Sequence, residues 1–213
     1  MKKSKKIIIG IIILLIIVVL IILGICLFTG NKDKVKETYS NLQNSEKFTF
    51  TMEEVDSMYT ISFAQNGDNM NIDMISNDDD RLSTLILDGN SYTILHSQQE
   101  YYMYENEGTE ENIILEALEE ISEAEYETGS EEIYGTKYYY EEFEGCFDFT
   151  ILLAIDTNNT IKTRFYFDGD ELVYIKNVTT VDDEETEELI KVTVSYDVDD
   201  SLFEIPTDYA EVE

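Results

Sequence analysis

The first thirty positions contain one unbroken apolar stretch that predicts a membrane-spanning helix. The 22 residues from Ile7 to Phe28 carry no charged side chain. As an α-helix this stretch would be about 33 Å long, which matches the hydrocarbon core of a bilayer at roughly 30 Å. The pattern therefore predicts a transmembrane helix over residues 7–28, with a leader over residues 1–6 and a short linker over residues 29–31.

Two other interpretations of this segment stay open. A cleaved signal peptide has an apolar region of roughly 7–15 residues and a small-x-small cleavage site. This stretch is longer, and residues 24–30 contain no Ala-x-Ala. A lipoprotein would be modified at Cys26, but the large, β-branched Ile25 precedes that cysteine. We expect an uncleaved anchor.

The distribution of lysines predicts the orientation of the anchor. Four lysines precede the apolar stretch, at Lys2, Lys3, Lys5 and Lys6. Lysine-rich flanks of a membrane helix stay in the cytoplasm. We therefore expect a cytoplasmic leader, a single pass through the cell membrane and an extracytoplasmic domain over residues 32–213.

After the anchor, apolar and polar residues alternate with a period of two, which predicts strands with one apolar face each. The first three strands have their apolar positions at Phe48, Phe50 and Met52, at Tyr59, Ile61 and Phe63, and at Met70, Ile72 and Met74. Asn66-Gly67 predicts a hairpin between the second and third strands. Further strands are predicted over residues 82–87, 92–95 and 101–104.

Two segments show helical spacing instead. The first spans residues 32–44, and its apolar side carries Val35, Tyr39 and Leu42. The second follows a capping residue at Thr109 and carries on one face Ile114, Ala117, Leu118 and Ile121. The acidic stretch from Ser122 to Ser130 comes next, and no strand is predicted there.

A second series of strands completes the chain. Strands are predicted over residues 138–143, 147–155, 161–167, 172–178 and 190–198, the last with Ile190, Val192, Val194, Tyr196 and Val198 on one face. The predicted fold is α+β: a curved antiparallel sheet, or half-open barrel, of about nine to eleven strands with one or two packed helices.

The charge of the chain limits the classes of partner that it can bind. The sequence has 46 acidic and 14 basic residues, a formal net charge of −32, and every acidic residue follows Gly30. Such a surface repels nucleic-acid phosphates and anionic headgroups, so we expect no nucleic-acid binding and no flat docking on the membrane. Two cysteines, Cys26 and Cys146, are too far apart in sequence to favour an internal disulfide.

Catalytic and metal-binding motifs are not apparent. His96 is the single histidine, which excludes a multi-histidine metal site, and no nucleophile-elbow, Walker or dinucleotide-binding pattern occurs. The segment 156–160 lacks the glycine of a calcium loop. Weak calcium binding at Asp78–Asp80 or at residues 182–185 stays open. We expect a protein that is not an enzyme and uses no cofactor or metal.

The end of the chain resembles a known superfamily. The segment from Tyr196 to Tyr209 reads YDVDDSLFEIPTDY, an aspartate-rich turn followed by Leu-Phe-x-Ile-Pro and a tyrosine, and residues 165–172 read FYFDGDEL. Both are similar to the bacterial outer-membrane lipoprotein carrier superfamily, including its mycobacterial lipid-carrier relatives. The resemblance implies an open barrel around helices, with a hydrophobic cavity that holds acyl chains.

Two functional hypotheses follow. In the first, the anchored domain holds a lipid or a lipoprotein acyl chain in a cavity lined by Phe48, Phe50, Tyr59, Ile61, Phe63, Ile72 and Met74, although the same residues could simply form the core. In the second, the domain is a non-enzymatic envelope interaction or sensor protein without a small ligand, and its partner contacts residues 182–188.

Overall fold

The computed structural model of the protein describes residues 33–55, 59–76, 80–105, 113–144, 160–181 and 184–212. They form two α-helices, α1 (Lys34–Gln43) and α2 (Ile113–Ser122), and a 3-10 turn at Asp200–Phe203. The strands are β1 (Lys47–Glu54), β2 (Tyr59–Asn66), β3 (Asn69–Ser76), β4 (Arg81–Leu87), β5 (Asn90–Leu95), β6 (Glu100–Glu105), β7 (Tyr126–Ile133), β8 (Thr136–Glu144), β9 (Thr160–Asp168), β10 (Glu171–Val181), β11 (Glu184–Ser195) and β12 (Ala210–Glu211).

All the described strands belong to one open, curved sheet. Its order is β12-β6-β5-β4-β3-β2-β1-β11-β10-β9-β8-β7, so the two halves of the chain meet where β1 pairs with β11. Every neighbouring pair is antiparallel except β12 and β6, which run parallel. The predicted antiparallel sheet is confirmed, but the described residues already form twelve strands, more than the predicted number of about nine to eleven.

Two of the twelve strands, β7 and β12, were not predicted. Strand β7 lies in the acidic stretch where no strand was predicted, because its sequence YETGSEEI has no alternating apolar residues. It forms through its ladder with β8. Strand β12 is two residues long and too short to give a sequence signal.

Several predictions lie outside the described residues. They are the leader, anchor and linker over residues 1–31, the capping Thr109, the strand over residues 147–155, both cysteines, and most of the calcium candidates at residues 78–80, 156–160 and 182–185. In the part of the chain that is described, neither α-helix has the length and apolar character needed to cross a bilayer.

One face of the sheet, which we call the core face, carries the larger hydrophobic cluster. Phe50 of β1 lies opposite Phe63 of β2 and Val194 of β11, and Phe165 of β9 lies opposite Ile175 of β10. Both helices pack here, and the predicted apolar sides of α1 and α2 are confirmed by the burial of Val35, Leu42, Ile114, Leu118 and Ile121. Each fully buried phenylalanine stabilises the fold by about 1.5–3 kcal/mol.

A buried carboxylate fixes helix α1 to the core face. Glu141 of β8 is completely buried and accepts the backbone N–H of Val35 at 2.9 Å and the hydroxyl of Tyr139 at 3.2 Å. Amide groups in the first turn of a helix lack intrahelical partners and carry partial positive charge. The carboxylate therefore caps α1 from a strand 106 positions away in the sequence.

The opposite face of strands β2–β6 is covered by the C-terminal segment, residues 196–212. Val198 and Phe203 of this segment pack on Ala64, Leu85 and Ile94. The polar face of β3 is therefore buried as well, since Asn71 and Asp73 expose 4% and 5% of their surface. The Asn71 amide donates to the Leu202 carbonyl at 2.8 Å.

The last long strand differs from its prediction. Strand β11 covers residues 184–195 and not 190–198. Tyr196 lies beyond its end and is half exposed, whereas Val198 belongs to the cluster on the opposite face. The alternation that suggested one continuous strand crosses a change of direction after Ser195.

Candidate functional site

Strands β10 and β11 separate from each other at one end of the sheet. The two strands pair from Val181 and Glu184 as far as Tyr174 and Lys191. Beyond this point, residues 192–195 of β11 continue to pair with β1. The first residues of β10 continue to pair with β9.

An irregularity in β10 explains why the two strands separate. The register between β9 and β10 shifts between Leu172 and Tyr174, so Val173 is the extra residue of a β-bulge. A bulge bends its strand and increases the local twist. The start of β10 therefore turns away from β11 and leaves a space between the two strands.

We call this space the β10–β11 cleft. Its volume is about 790 Å³, which is within the range of ligand pockets. Helix α1 closes one side with Thr38 and Asn41, and Tyr138 reaches it from β8. The remaining lining comes from residues 170–174 and 191–197.

The cleft joins a buried apolar surface to an acidic rim. Leu172 and Val192 are buried in the core cluster, and Val194 packs against that cluster. Tyr138 and Tyr174 meet edge to face, with ring centroids 5.6 Å apart. At the rim, the exposed side chains include Asp170, Glu171 and Asp197, whereas the one lysine, Lys191, lies 3.3 Å from Glu53. Such a site suits an apolar ligand with a neutral or cationic polar end.

The residues predicted to line a cavity lie elsewhere. Phe48, Phe50 and Phe63 are buried in the core cluster, and Ile61 and Ile72 pack against it. Met74 is partly buried, and Tyr59 exposes 51% of its surface. None of the seven belongs to the lining of the β10–β11 cleft.

A chain of hydrogen bonds joins β3, β4, His96 and the C-terminal segment. Ser83 donates to Asp73, which Arg81 also contacts at 2.6 Å. His96 Nε2 lies 2.7 Å from Ser83 Oγ, and its Nδ1 lies 3.0 Å from the hydroxyl of Tyr209. Because a carboxylate can only accept, the Ser83 proton points to Asp73, and His96 Nε2–H must donate to Ser83.

These directions give the site a structural role. A histidine that activates a serine must accept the serine proton, and here the histidine donates instead. Partial burial and the nearby Arg81 lower the pKa of His96, against the opposing effect of Asp73. The neutral histidine therefore connects Tyr209 of the C-terminal segment to the buried side of the sheet.

The opposite face of strands β7–β10 carries an ion-pair network. Glu131 accepts from Tyr166 and Lys176, each at 2.6 Å, and from Arg164 at 3.0 Å. Arg164 also contacts Glu142 and lies over the ring of Tyr140. Burial opposes ionisation of Glu131, but the hydrogen bonds from Lys176 and Tyr166 outweigh it and lower its pKa.

The described residues contain no group of three histidine, cysteine or acidic side chains that could hold a metal ion. The residues of the β10–β11 cleft were not singled out from the sequence. The one local signal is the apolar run Leu172-Val173-Tyr174-Ile175, which interrupts the alternation, so that the buried Leu172 and Ile175 lie three positions apart. That break locates a bulge, but not the strand from which β10 separates.

Comparison with known proteins gives only distant similarities. No protein-family model and no curated protein matches the chain. An uncharacterised conserved protein from Thermus thermophilus aligns with a TM-score of 0.46 and 6% identity, covering 83% of this chain and 96% of that one. The lipoprotein LppX of Mycobacterium tuberculosis aligns with a TM-score of 0.38 and 12% identity, over 76% of this chain and 93% of that one.

A DUF1329 family protein from Desulfovibrio piger aligns with a TM-score of 0.23 and 14% identity, over 83% of this chain and 96% of that one. All three TM-scores lie below 0.5. The relationship to the lipoprotein carrier superfamily therefore stays a prediction from the sequence.

Proposed function

We propose that this chain is a membrane-anchored, extracytoplasmic binding domain that holds a hydrophobic ligand in the β10–β11 cleft. The observation that carries the proposal is the cleft itself, a space of about 790 Å³ with a buried apolar wall between two separated strands. The acyl chain of a lipid or lipoprotein is the ligand class that such a wall suits.

The site differs from the one expected from the sequence. Phe48, Phe50 and Phe63 belong to the same buried cluster as residues of both helices, so they form core. The proposed ligand instead enters next to Val192 and Leu172, where the core reaches the surface. The acidic rim disfavours an anionic headgroup at the mouth.

The test uses full-length protein extracted from its membrane in a mild detergent and analysed by native mass spectrometry. A bulky residue in the cleft, Thr193→Trp, should reduce co-purified lipid at least about fivefold by occupying the space. The matched control is Thr186→Trp, because Thr186 is an exposed threonine on the same strand outside the cleft. Equal lipid content in both variants and the parent would overturn the proposal.

The chain lacks tryptophan, so each variant also carries a unique fluorescent reporter. Addition of a fatty acid should change the emission at position 193 and leave the emission at position 186 unchanged. An unchanged spectrum at position 193, over concentrations that saturate known acyl-chain sites, would argue against a ligand here.

The location of the domain has its own test. We propose that residues 7–28 anchor the chain and that the folded part faces outward. A cysteine introduced at the exposed Thr186 should then react with a membrane-impermeant maleimide on intact cells. Reaction only after the cells are lysed would place the domain in the cytoplasm and refute this part.

A further inference from the structure

Strand β7 lies at one end of the sheet. It is eight residues long and has β8 as its hydrogen-bonded neighbour among the described strands. The other end is formed by β12, which has two residues. The outer side of a terminal strand presents backbone N–H and C=O groups that an added strand can pair with.

The edge formed by β7 is acidic. From Ser122 to Thr136 the sequence contains five glutamates and no lysine or arginine. Glu127 and Glu132 of β7 are exposed, as is Glu125 immediately before it. Two copies of the chain could not pair here without bringing like charges together, which destabilises cross-strand pairs.

A small cleft lies at the start of β7. Its volume is about 430 Å³, and its lining includes Glu125 and Glu127 together with Glu142, Glu144 and Lys162. Lys162 contacts Glu144 at 3.3 Å and Glu142 at 3.9 Å. Glu125 and Glu127 take part in none of the ion pairs found among the described residues.

We propose that the β7 edge binds an extended, lysine- or arginine-containing segment of another protein as an added strand. Main-chain hydrogen bonds along residues 127–133 of β7 would supply the pairing, and a basic side chain would enter the small cleft beside Glu125 and Glu127. This protein-binding surface is separate from the β10–β11 cleft, so the proposal does not depend on the proposed ligand.

The partner chemistry follows from charge. An acidic edge strand of a partner would repel these carboxylates, whereas a basic segment places opposite charges across from one another. Contacts with β8 also hold the strand in place. The ring of Tyr140 covers the backbone of its cross-strand neighbour Gly129, which fixes the middle of β7 against β8.

The test uses the full-length chain in nonionic detergent and a labelled eight-residue peptide in which lysine alternates with threonine. A second peptide has the same sequence with N-methylated amides at every other position, so it keeps the charge and cannot form a ladder. Fluorescence anisotropy should show the first peptide binding at least about tenfold more tightly. Hydrogen exchange should show new protection of β7 amides.

Two double variants separate this site from general attraction to an acidic protein. Glu125→Lys with Glu127→Lys should weaken binding at least about tenfold. The control, Glu105→Lys with Glu185→Lys, makes the same change in charge at exposed strand residues away from β7 and should stay within about twofold.

Several outcomes would overturn the proposal. They are equal affinity for the N-methylated peptide, an equal loss in both double variants, or β7 amides that are as protected as β8 amides before peptide is added. Protection of β7 that rises with protein concentration alone would assign the edge to a second copy of the chain and would also refute a basic partner.

Discussion

Replacement of Phe50 by alanine tests whether the aromatic residues of β1 and β2 form core or line a cavity. Phe50 has no exposed surface and lies between Phe63 and Val194 in neighbouring strands. In a packed site, the truncation removes buried apolar surface and leaves a void that neighbours only partly fill. In a ligand cavity, the same truncation would enlarge a space that already exists.

The expected cost follows from this environment. Truncation of a fully buried phenylalanine costs about 3–5 kcal/mol. Domains of this kind are stable by only about 5–15 kcal/mol, so the variant loses a large part of its stability. For a chain of 150–250 residues, about 2–4 °C per kcal/mol gives a fall in Tm of roughly 6–20 °C.

The assay is urea unfolding of the full-length chain in nonionic detergent, followed by circular dichroism. The matched control is Tyr59→Ala, because Tyr59 was assigned to the same cavity but exposes 51% of its surface. That change should cost about 1 kcal/mol or less. If Phe50→Ala costs no more than the control and gains affinity for a fatty acid, Phe50 lines open space and the core assignment is wrong.

Three further predictions concern polar and close-packed sites. Because the pKa of His96 in the folded protein lies below its ordinary 6.5, the contribution of His96 to stability is complete above about pH 6.5 and is lost as the pH falls from 6.5 through the pKa of the folded state. Between pH 7 and pH 5, the free energy of unfolding of His96→Gln should therefore fall less than that of the parent. An equal fall in both proteins would contradict this prediction. Glu131→Gln should lower the free energy of unfolding in urea by about 1–3 kcal/mol, because Lys176 and Arg164 lose a carboxylate partner. The control Glu132→Gln changes an exposed neighbour and should alter that free energy by at most about 0.5 kcal/mol. Gly129→Ala should cost about 1–3 kcal/mol because its new methyl group meets the Tyr140 ring, and that cost should disappear in a Tyr140→Ala background.

The sequence predicted elements where one face alone is buried. Strand β1 alternates apolar and polar residues, and its burial alternates in step, since Phe48, Phe50 and Met52 all face the core. The apolar sides of both helices were predictable for the same reason. Local periodicity reflects burial on one face, and in these elements only one face is buried.

The burial of a strand's second face, and a strand without apolar alternation, were not predictable in this way. Asn71 and Asp73 of β3 are buried because the C-terminal segment, more than a hundred residues later, packs over them. Strand β7 has almost no apolar signal and depends on its ladder with β8. Such contacts join distant parts of the chain, and local patterns carry no information about them.

The β10–β11 cleft could not be located from the sequence for a related reason. The position of the β10–β11 cleft is set by where two ladders separate, and that depends on the register of β10 with β9 and of β11 with β1. The sequence shows that apolar residues exist in both strands. It does not show that Val192 pairs with β1 but no longer with β10, whereas Ile190 pairs with both strands.

The measurement that tests the central claim most directly is photocrosslinking of the full-length chain with a diazirine-bearing fatty acid, followed by peptide mapping. Our account predicts labels on residues 170–174 and 191–197, competed by an unlabelled fatty acid. Labels on β1 and β2 around Phe50 and Phe63, or no labelling above that of a polar diazirine, would contradict it.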